Sequence, residues 1–595
     1  MAESPDKNSN GVLKLTISTE GNDLKDDTEV VLVEVCKKIN KIPNAKVVLL
    51  DGNMPDKKFP LSDSDDFKPG NEIEIKAGYG STDETIFKGV IIRHGLKIGA
   101  NNTALLEIDC RDPSVAMTVA RKNANYVDVK DSDIIATLIG NYSGLSQDIE
   151  ATTTQYKELV QYYCSDWDFM LSRAEVNGLL VCVDDGKLTV KPPQTEAAEL
   201  KVTYGEDLIE FQADLDARMQ LSKVKGVAWD VSTQAAVEAE ADPQTINQQG
   251  DLDSAALAAA LNISDYRLQT ATPLDADALK GWAEAQQLKS GLSRICGHMK
   301  FQGSAKAKVG SQIEVEGVGS RFSGNVYVSA VYHYIENGDW VSETEFGLPA
   351  DWFAETRDLT APSAAGLLPG VDGLQVGVVK KLDEDPEDQC RIQVSVPVLQ
   401  AESEGVWARL IQPYASSGFG MQFIPEIGDE VVLGYFNNDP SNPVILGSLY
   451  SSGRKPPYDI TADNFIKAAV TREALKLEFD DENKVITLLT PGANTVVISD
   501  KDKSILLQDQ NGNKVELGSS GITLDSPKDI SITAKGGITL DAVGAVSISS
   551  KQDVKVEGLN VSHTANVGFT AKGNATAELS ASGQTTVKGA MVMIN

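Results

Sequence analysis

GITLDSPKDISITAKGGITLDAVGAVSISSKQDVKVEG, residues 521–558, repeats an apolar pair around one spacer every eight residues. The pairs are Ile522/Leu524, Ile530/Ile532, Ile538/Leu540, Val546/Ile548 and Val554/Val556. After one seven-residue step the beat resumes at Val561/His563, Phe569/Ala571, Ala577/Leu579 and Thr585/Val587, and the sequence closes on Met591, Val592, Met593, Ile594 and Asn595. A fixed period with Gly, Asp, Lys and Ser between the pairs predicts one short strand and one tight corner per unit, stacked along an axis. A single chain wound into a triangular solenoid would use the nine units in only three coils without a polar cap, a poor core. Three identical chains supplying a strand each per layer would bury every pair against the other two and extend the stack to roughly 40 Å at ~4.8 Å per layer. Such a closed section leaves no lateral strand edge. The expectation is therefore an intertwined triple-stranded β-helix in a homotrimer, with the ten residues of those five pairs as trimer core.

The other 520 residues preceding this stretch are too many for one domain, and a 41% hydrophobic content supports folded structure. The net charge of −32 repels phosphate backbones and anionic membrane surfaces, so nucleic acid is not an expected partner. Six cysteines (36, 110, 164, 182, 296, 390) show no CxxC spacing and read as ordinary buried thiols. The opening MAESPDKNSNG has no apolar run, and no stretch approaches the ~18 apolar residues of a membrane span. Assembly in the cytoplasm without a signal peptide is expected.

Taken in order, residues 11–112 alternate as strands, as in Val12-Leu-Lys-Leu-Thr-Ile17 and Glu72-Ile-Glu-Ile75, and predict a barrel-like module. Near Ser132, a predicted N-cap, the spacing of Ile134, Ile135, Leu138 and Ile139 becomes helical and ends at Gly140. A second helix follows Ser165 and stops at Gly178, leading into a hairpin turned by Asp184-Asp185-Gly186. Residues 233–262, rich in Ala, Gln and acids, predict an exposed insertion with one helix from about Ser254 to Leu261. Beyond a linker at 361–370, five short strands between Val376 and Leu449 predict a small closed barrel of oligomer-binding (OB) type. With twelve Asp/Glu against six Lys/Arg over residues 370–458, that barrel is not a single-strand binder. Residues 460–517 recur at about ten residues and predict a β-neck.

The helix-to-hairpin stretch from Ser165 to Gly178, followed by Arg294-Ile-Cys-Gly297, Tyr332-His-Tyr334, Trp340 and Glu345-Phe-Gly347, resembles the tail-hub proteins of contractile-tail phages and the valine-glycine repeat (VgrG) spikes. Trp407-Ala-Arg409, Pro425-Glu-Ile-Gly-Asp-Glu-Val431, Asp439-Pro440 and Pro443-Val-Ile-Leu-Gly-Ser-Leu-Tyr450 resemble the baseplate-spike barrel of the same family. The resemblance implies mainly β structure with some α: hub β-barrel module 1–125, helices plus hairpin 126–232, insertion and second hub module 233–358, linker 359–372, OB-fold 373–458, β-neck 459–517 and triple-stranded β-helix needle 518–595. It implies a trimeric hub on which an inner tube and baseplate stack, a forward-pointing needle, a proline-alanine-alanine-arginine (PAAR) type tip protein seated on Met591 to Asn595, and effectors as further cargo. Phe67-Lys-Pro-Gly70 and Gly78-Tyr79 look closest to spikes of extracellular, phage-tail-like injection systems. A type VI secretion spike and a trimeric receptor-binding fibre are the alternatives.

Enzyme chemistry has little to stand on. The four histidines form no HExxH or HxH, no GxSxG, P-loop or GxGxxG follows a strand, and Asp65-Asp66, Asp184-Asp185 and Asp480-Asp481 sit in turns. Neither catalysis nor a cofactor is expected. His563 takes an inward slot where other units place an aliphatic residue, which leaves two readings open: three imidazoles converging on an axial metal ion or anion, or a ring stacked on Phe569.

Overall fold

The structure is a computed structural model describing residues 2–5, 11–100, 102–244, 246–262, 265–355, 359–400 and 404–594. It divides into two compact units, Met1–Leu449 and Tyr450–Asn595.

In the first unit, six strands (Leu13–Thr19, Val30–Lys38, Asn44–Asp51, Glu72–Tyr79, Glu84–Ile98 and Ala104–Arg111) follow the period-two pattern of their sequence. Ile17, Val33, Val47, Ile75, Phe87 and Ile108 point from all six into one core. Strand Val30–Lys38 also pairs antiparallel with Gly324–Glu336, in the register Val35↔His333 and Val33↔Ile335. That pairing makes the N-terminal strands and those between Leu200 and Phe346 one thirteen-stranded sheet. Strand Gly324–Glu336 serves two cores: Ile335 enters the first, while Val326, Val328 and Val331 pack with Phe301, Val315 and Phe346 in a second.

Helices α1 (Asp131–Gly140) and α2 (Asp166–Glu175) pack together in a separate core with Met117, Leu179, Val181 and Leu188. The Ser165 hydroxyl accepts from Asp168 N at 3.0 Å, the cap expected there. Ser132 is not a cap. α1 starts one residue earlier, after Lys130, and Ser132 N donates to Thr152 Oγ1 at 3.1 Å, so a hydroxyl from outside the helix satisfies a first-turn N–H. The hairpin Leu180–Asp184/Lys187–Lys191 follows, turned through Asp185 and Gly186.

The stretch expected as an exposed insertion is more ordered than its composition suggests. α3 (Ser254–Leu261) is present, but Ala235–Ala241 is a strand, paired to Val224–Asp230, which also pairs Tyr266–Thr270. This small sheet packs on α4 (Ala276–Leu292), burying Val224, Ala241, Leu268 and Ala283 together. The physical reason is contact with a helix that its own sequence hides. Gly226 allows the approach, since a Cβ there would lie 2.8 Å from Leu279 Cδ1. Gln287 of α4 closes the seam, donating through Nε2 to Ala241 O at 3.1 Å and Leu221 O at 3.4 Å.

The OB barrel is closed by Gln375–Lys381, Ile392–Ser395, Val406–Leu410, Pro443–Ser448 and Glu430–Tyr435, in that order around the ring. Val379, Val394, Ala408, Val431, Leu433 and Ile445 fill it. Only Cys110 is a fully buried thiol, and Cys390 is exposed, contrary to expectation. It stands at φ +57° in a turn where Asp385 accepts from Arg391 Nη2 at 2.7 Å and from Gln389 N at 2.8 Å, leaving the thiol outside the barrel core.

In the second unit, seven strands from Ile466–Val470 to Gly521–Asp525 form an antiparallel meander. From residue 526 to 594 the chain has no regular secondary structure.

Candidate functional site: an apolar face without an intrachain partner

Each meander strand alternates, and each tight turn keeps the alternation in phase with the next strand. Register therefore aligns the apolar residues of six successive strands on one face. Phe479 faces Ile486, Ile486 faces Ile498, Ile498 faces Ile505, Ile505 faces Leu517 and Leu517 faces Ile522. A second column runs Leu477, Leu488, Val496, Leu507, Val515, Leu524. The opposite face carries Lys476, Glu478, Thr487, Ser504, Lys514 and Glu516 among others. On that face the Tyr458 hydroxyl donates to Glu478, and Lys476 Nζ lies 3.0 Å from the same carboxylate; the Tyr458 contact leads in holding Glu478 below its usual range. At the corner after residue 508, Asn513 and Asn511 amides donate to Asp509, with the Asn513 side chain leading, and hold its carboxyl at about 2.

Among the described residues nothing covers the apolar face. Phe479, Leu488, Ile498, Ile505, Leu507 and Leu517 are all exposed. Full burial of such a side chain is worth ~1.5–3 kcal/mol, so the face stores a large gain for whatever meets it.

The octads continue this arrangement. Ile522 and Leu524 are the last rung of the meander, paired with Leu517 and Val515. Ile530, Ile532, Ile538, Leu540, Val546, Ile548, Val554 and Val556 stand outside any helix or strand, with every residue from 527 to 594 exposed. Among the described residues, none of that stretch enters a β-ladder. Exposed backbone outside any ladder with apolar residues at regular intervals is the pattern of a strand waiting for neighbours. Met591, Val592, Met593 and Ile594 are likewise exposed, and Asn595 lies outside the described residues. The His563 ring stacks on Phe569, centroids 6.1 Å apart at 28°, and among the described residues no group of three or more His, Cys, Asp or Glu is placed to hold a metal within one chain.

Sequence reading named the neck strands but not their shared face. The signal was present in the ten-residue spacing, which returns each apolar pair to the same side after one reversal. It placed Pro425-Glu-Ile427 in the barrel signature without separating residues 411–427 as a hairpin of their own.

The comparisons with known proteins follow the same division. Residues 9–337 match the Alg8 N-terminal domain, residues 375–450 the type VI secretion system/phage-baseplate injector OB domain, and residues 485–595 the phage baseplate V C-terminal trimerisation domain. Similar curated proteins include the type VI secretion system spike protein VgrG1a of Pseudomonas aeruginosa, 34% identical over 62 residues covering 10% of each chain. VgrG2a of the same organism is 28% identical over 131 residues, 20% of this chain and 16% of that one. The actin cross-linking toxin VgrG1 of Vibrio cholerae is 39% identical over 59 residues, 10% of this chain and 5% of that one. The matched stretches thus span a small part of those relatives. Among solved structures, the 43 kDa tail protein of prophage MuSo2 from Shewanella oneidensis is similar over 57% of this chain and 98% of its own, at 9% identity and TM-score 0.43. The Francisella PdpA-VgrG complex, half-lidded, covers 87% and 89% at 12% identity and TM-score 0.39. With its first family model spanning more than half of the chain, the chain belongs to the Alg8 N-terminal domain family, and it carries in order an injector OB domain and a phage baseplate V C-terminal trimerisation domain.

Proposed function

We propose that the chain is the structural hub and spike of a contractile injection system, working as a homotrimer and not as an enzyme. The observation that carries the reading is the apolar face of the meander continued into the later octads, which enter no β-ladder among the described residues. Three copies placing these faces inward form a closed prism, and the octads then supply a hydrogen-bonded layer at each step. Residues 9–337 make the platform on which inner tube and baseplate stack, and the needle leads through the target envelope. Met591 to Asn595 from three copies form an apolar seat for a PAAR-type tip protein, with effectors as further cargo. Assembly takes place in the bacterial cytoplasm, and the complete particle is released extracellularly or held at an envelope. Three His563 rings would meet within one layer, and elemental analysis of the purified trimer tests whether they hold an ion.

A second reading, a type VI secretion spike in particular, draws on the names of the curated relatives. Neighbouring genes separate the two: a membrane complex points to type VI secretion, and sheath, tube and ATPase alone to a free particle.

Light scattering after size exclusion tests the reading directly. It should report three chains. Removing residues 526–595 should lower the affinity between copies and end capture of the tip protein while the melting of the hub stays unchanged. A single-chain mass for the full-length protein with an ordered C-terminus would refute it.

A further inference from the structure

Within the first unit, residues 411–427 of the OB barrel form a hairpin that contributes nothing to the barrel core. Its two short strands, Ala415–Ser416 and Phe419–Gly420, pair with each other alone. The hairpin is nevertheless firmly built. Gln412 clamps its base, donating from Nε2 to Phe423 O at 2.9 Å and accepting from Phe423 N at 3.3 Å. Met421 N donates to Tyr414 O at 2.8 Å, and the Tyr414 and Phe419 rings lie 5.8 Å apart. Gly420 stands at φ +147° where a Cβ would come within 2.5 Å of Tyr414 O, so the tight crossing admits only glycine.

This rigid hairpin presents Tyr414, Phe419, Met421, Phe423, Ile424 and Ile427 to solvent, and Phe423 is 65% exposed. Glu426 is its single charged residue. Seventeen residues here carry one charge, on a chain in which 24% of residues are charged. An exposed, preorganised apolar patch of this kind marks an interaction site.

We propose that the hairpin of one copy packs against the OB barrel of a neighbouring copy, making a second contact between copies separate from the needle. The inference rests on the homotrimeric reading above and adds a surface to it. Two arguments select a second copy as occupant. Copies that each carry −32 repel one another, so they can meet only through a patch from which charge has been removed, and this hairpin is such a patch. The barrel is also tethered: the OB match ends at residue 450 and the trimerisation match begins at residue 485, so three barrels are kept near one another by the same association. Tethering of that length sets a local concentration on the order of mM, at which a modest apolar contact is occupied.

The test uses the full-length chain with the photoreactive residue p-benzoylphenylalanine in place of Phe423, irradiated after size exclusion. Expected are a three-chain mass before irradiation and a cross-linked peptide joining position 423 to residues 375–450 of another copy. In the companion variant Phe419→Ser with Phe423→Ser, the three-chain mass should persist while protease cuts within residues 411–427 at least tenfold faster than in the unaltered chain. A three-chain mass with cross-links only inside one chain, to a different protein or to none, overturns the inference and leaves the trimer standing. Unchanged proteolysis in the double variant overturns it as well. A single-chain mass removes the homotrimeric reading and this inference together.

Discussion

His333 shows how one buried ring makes the hub sensitive to acid. It sits on the strand shared by both hub cores, 3% exposed, with Nδ1 3.0 Å from Ser342 Oγ and 3.4 Å from Trp340 Nε1. Because the indole can only donate, Nδ1 is the acceptor and the ring is neutral with its proton on Nε2. Burial first, and then the Lys37 charge, push its pKa down from 6.5 to about 3. The folded ring stays neutral where the unfolded one takes a proton. The stabilisation is therefore complete above pH ~6.5 and is lost, at ~1.4 kcal/mol per pH unit, as pH falls toward about 3. Urea unfolding at pH 7 and pH 5 should show the unaltered hub losing about 2 kcal/mol more than His333→Phe over the same interval. Equal losses would mean that His333 does not titrate on unfolding. Asp131 offers a second test. Fully buried, it holds Arg173 through two hydrogen bonds of 2.6 and 2.9 Å and Asn177 through one of 2.8 Å. Asp131→Ala leaves a guanidinium buried without its partner and should cost roughly 3–5 kcal/mol, read from the unfolding midpoint by Trp167 fluorescence.

At the scale of elements, legibility follows how strongly burial imposes a period. The barrel strands are plain in the sequence because apolar residues such as Val431 and Leu433 alternate with half-buried neighbours. α2 is plain because Ser165 caps it and Trp167, Met170, Leu171 and Ala174 fall on one side. α4 is not, although it is the longest helix of the described residues. Its buried side is made of Ala283, Gln286, Gln287, Ser290 and Gly291 as much as of Leu279 and Leu288, so no apolar stripe marks it. Only Asp275, accepting from Ala278 N at 2.7 Å, announced its start. The strand Ala235–Ala241 was hidden for a related reason: it earns its place by packing on that helix, and its alternating Glu238 and Glu240 read as solvent. The meander falls between. Its strands were legible, but the shared face became visible only with register, which makes the face testable. Ile486→Asp with Leu488→Asp places charges on it and should convert the three-chain species to single chains by light scattering. Thr487→Asp, one residue away on the other face, should leave the mass unaltered. Equal behaviour of the two would show that copies do not meet through the columns.

For the whole molecule, charge and association pull in opposite directions, and salt separates them. Each copy carries −32, and bringing three together concentrates that charge along one assembly. The surfaces proposed to meet, the paired columns from Leu477 to Leu524, the apolar pairs of the octads and the barrel hairpin, are apolar. Ion pairs within the chain, such as Lys201 with Glu316 and Lys300 with Glu210, sit at partly exposed positions where each is worth little. Association is then apolar attraction working against long-range repulsion. Raising salt from about 0.01 M to about 0.15 M shortens the screening length from ~30 Å to ~8 Å, which weakens the repulsion and leaves the apolar contacts intact. Sedimentation equilibrium on the chain lacking residues 526–595, whose association is weak enough to measure, should therefore show tighter association at the higher salt. Looser association would mean that opposite charges across the interface hold the copies together, and that the apolar face of the meander is turned toward something other than its own copies.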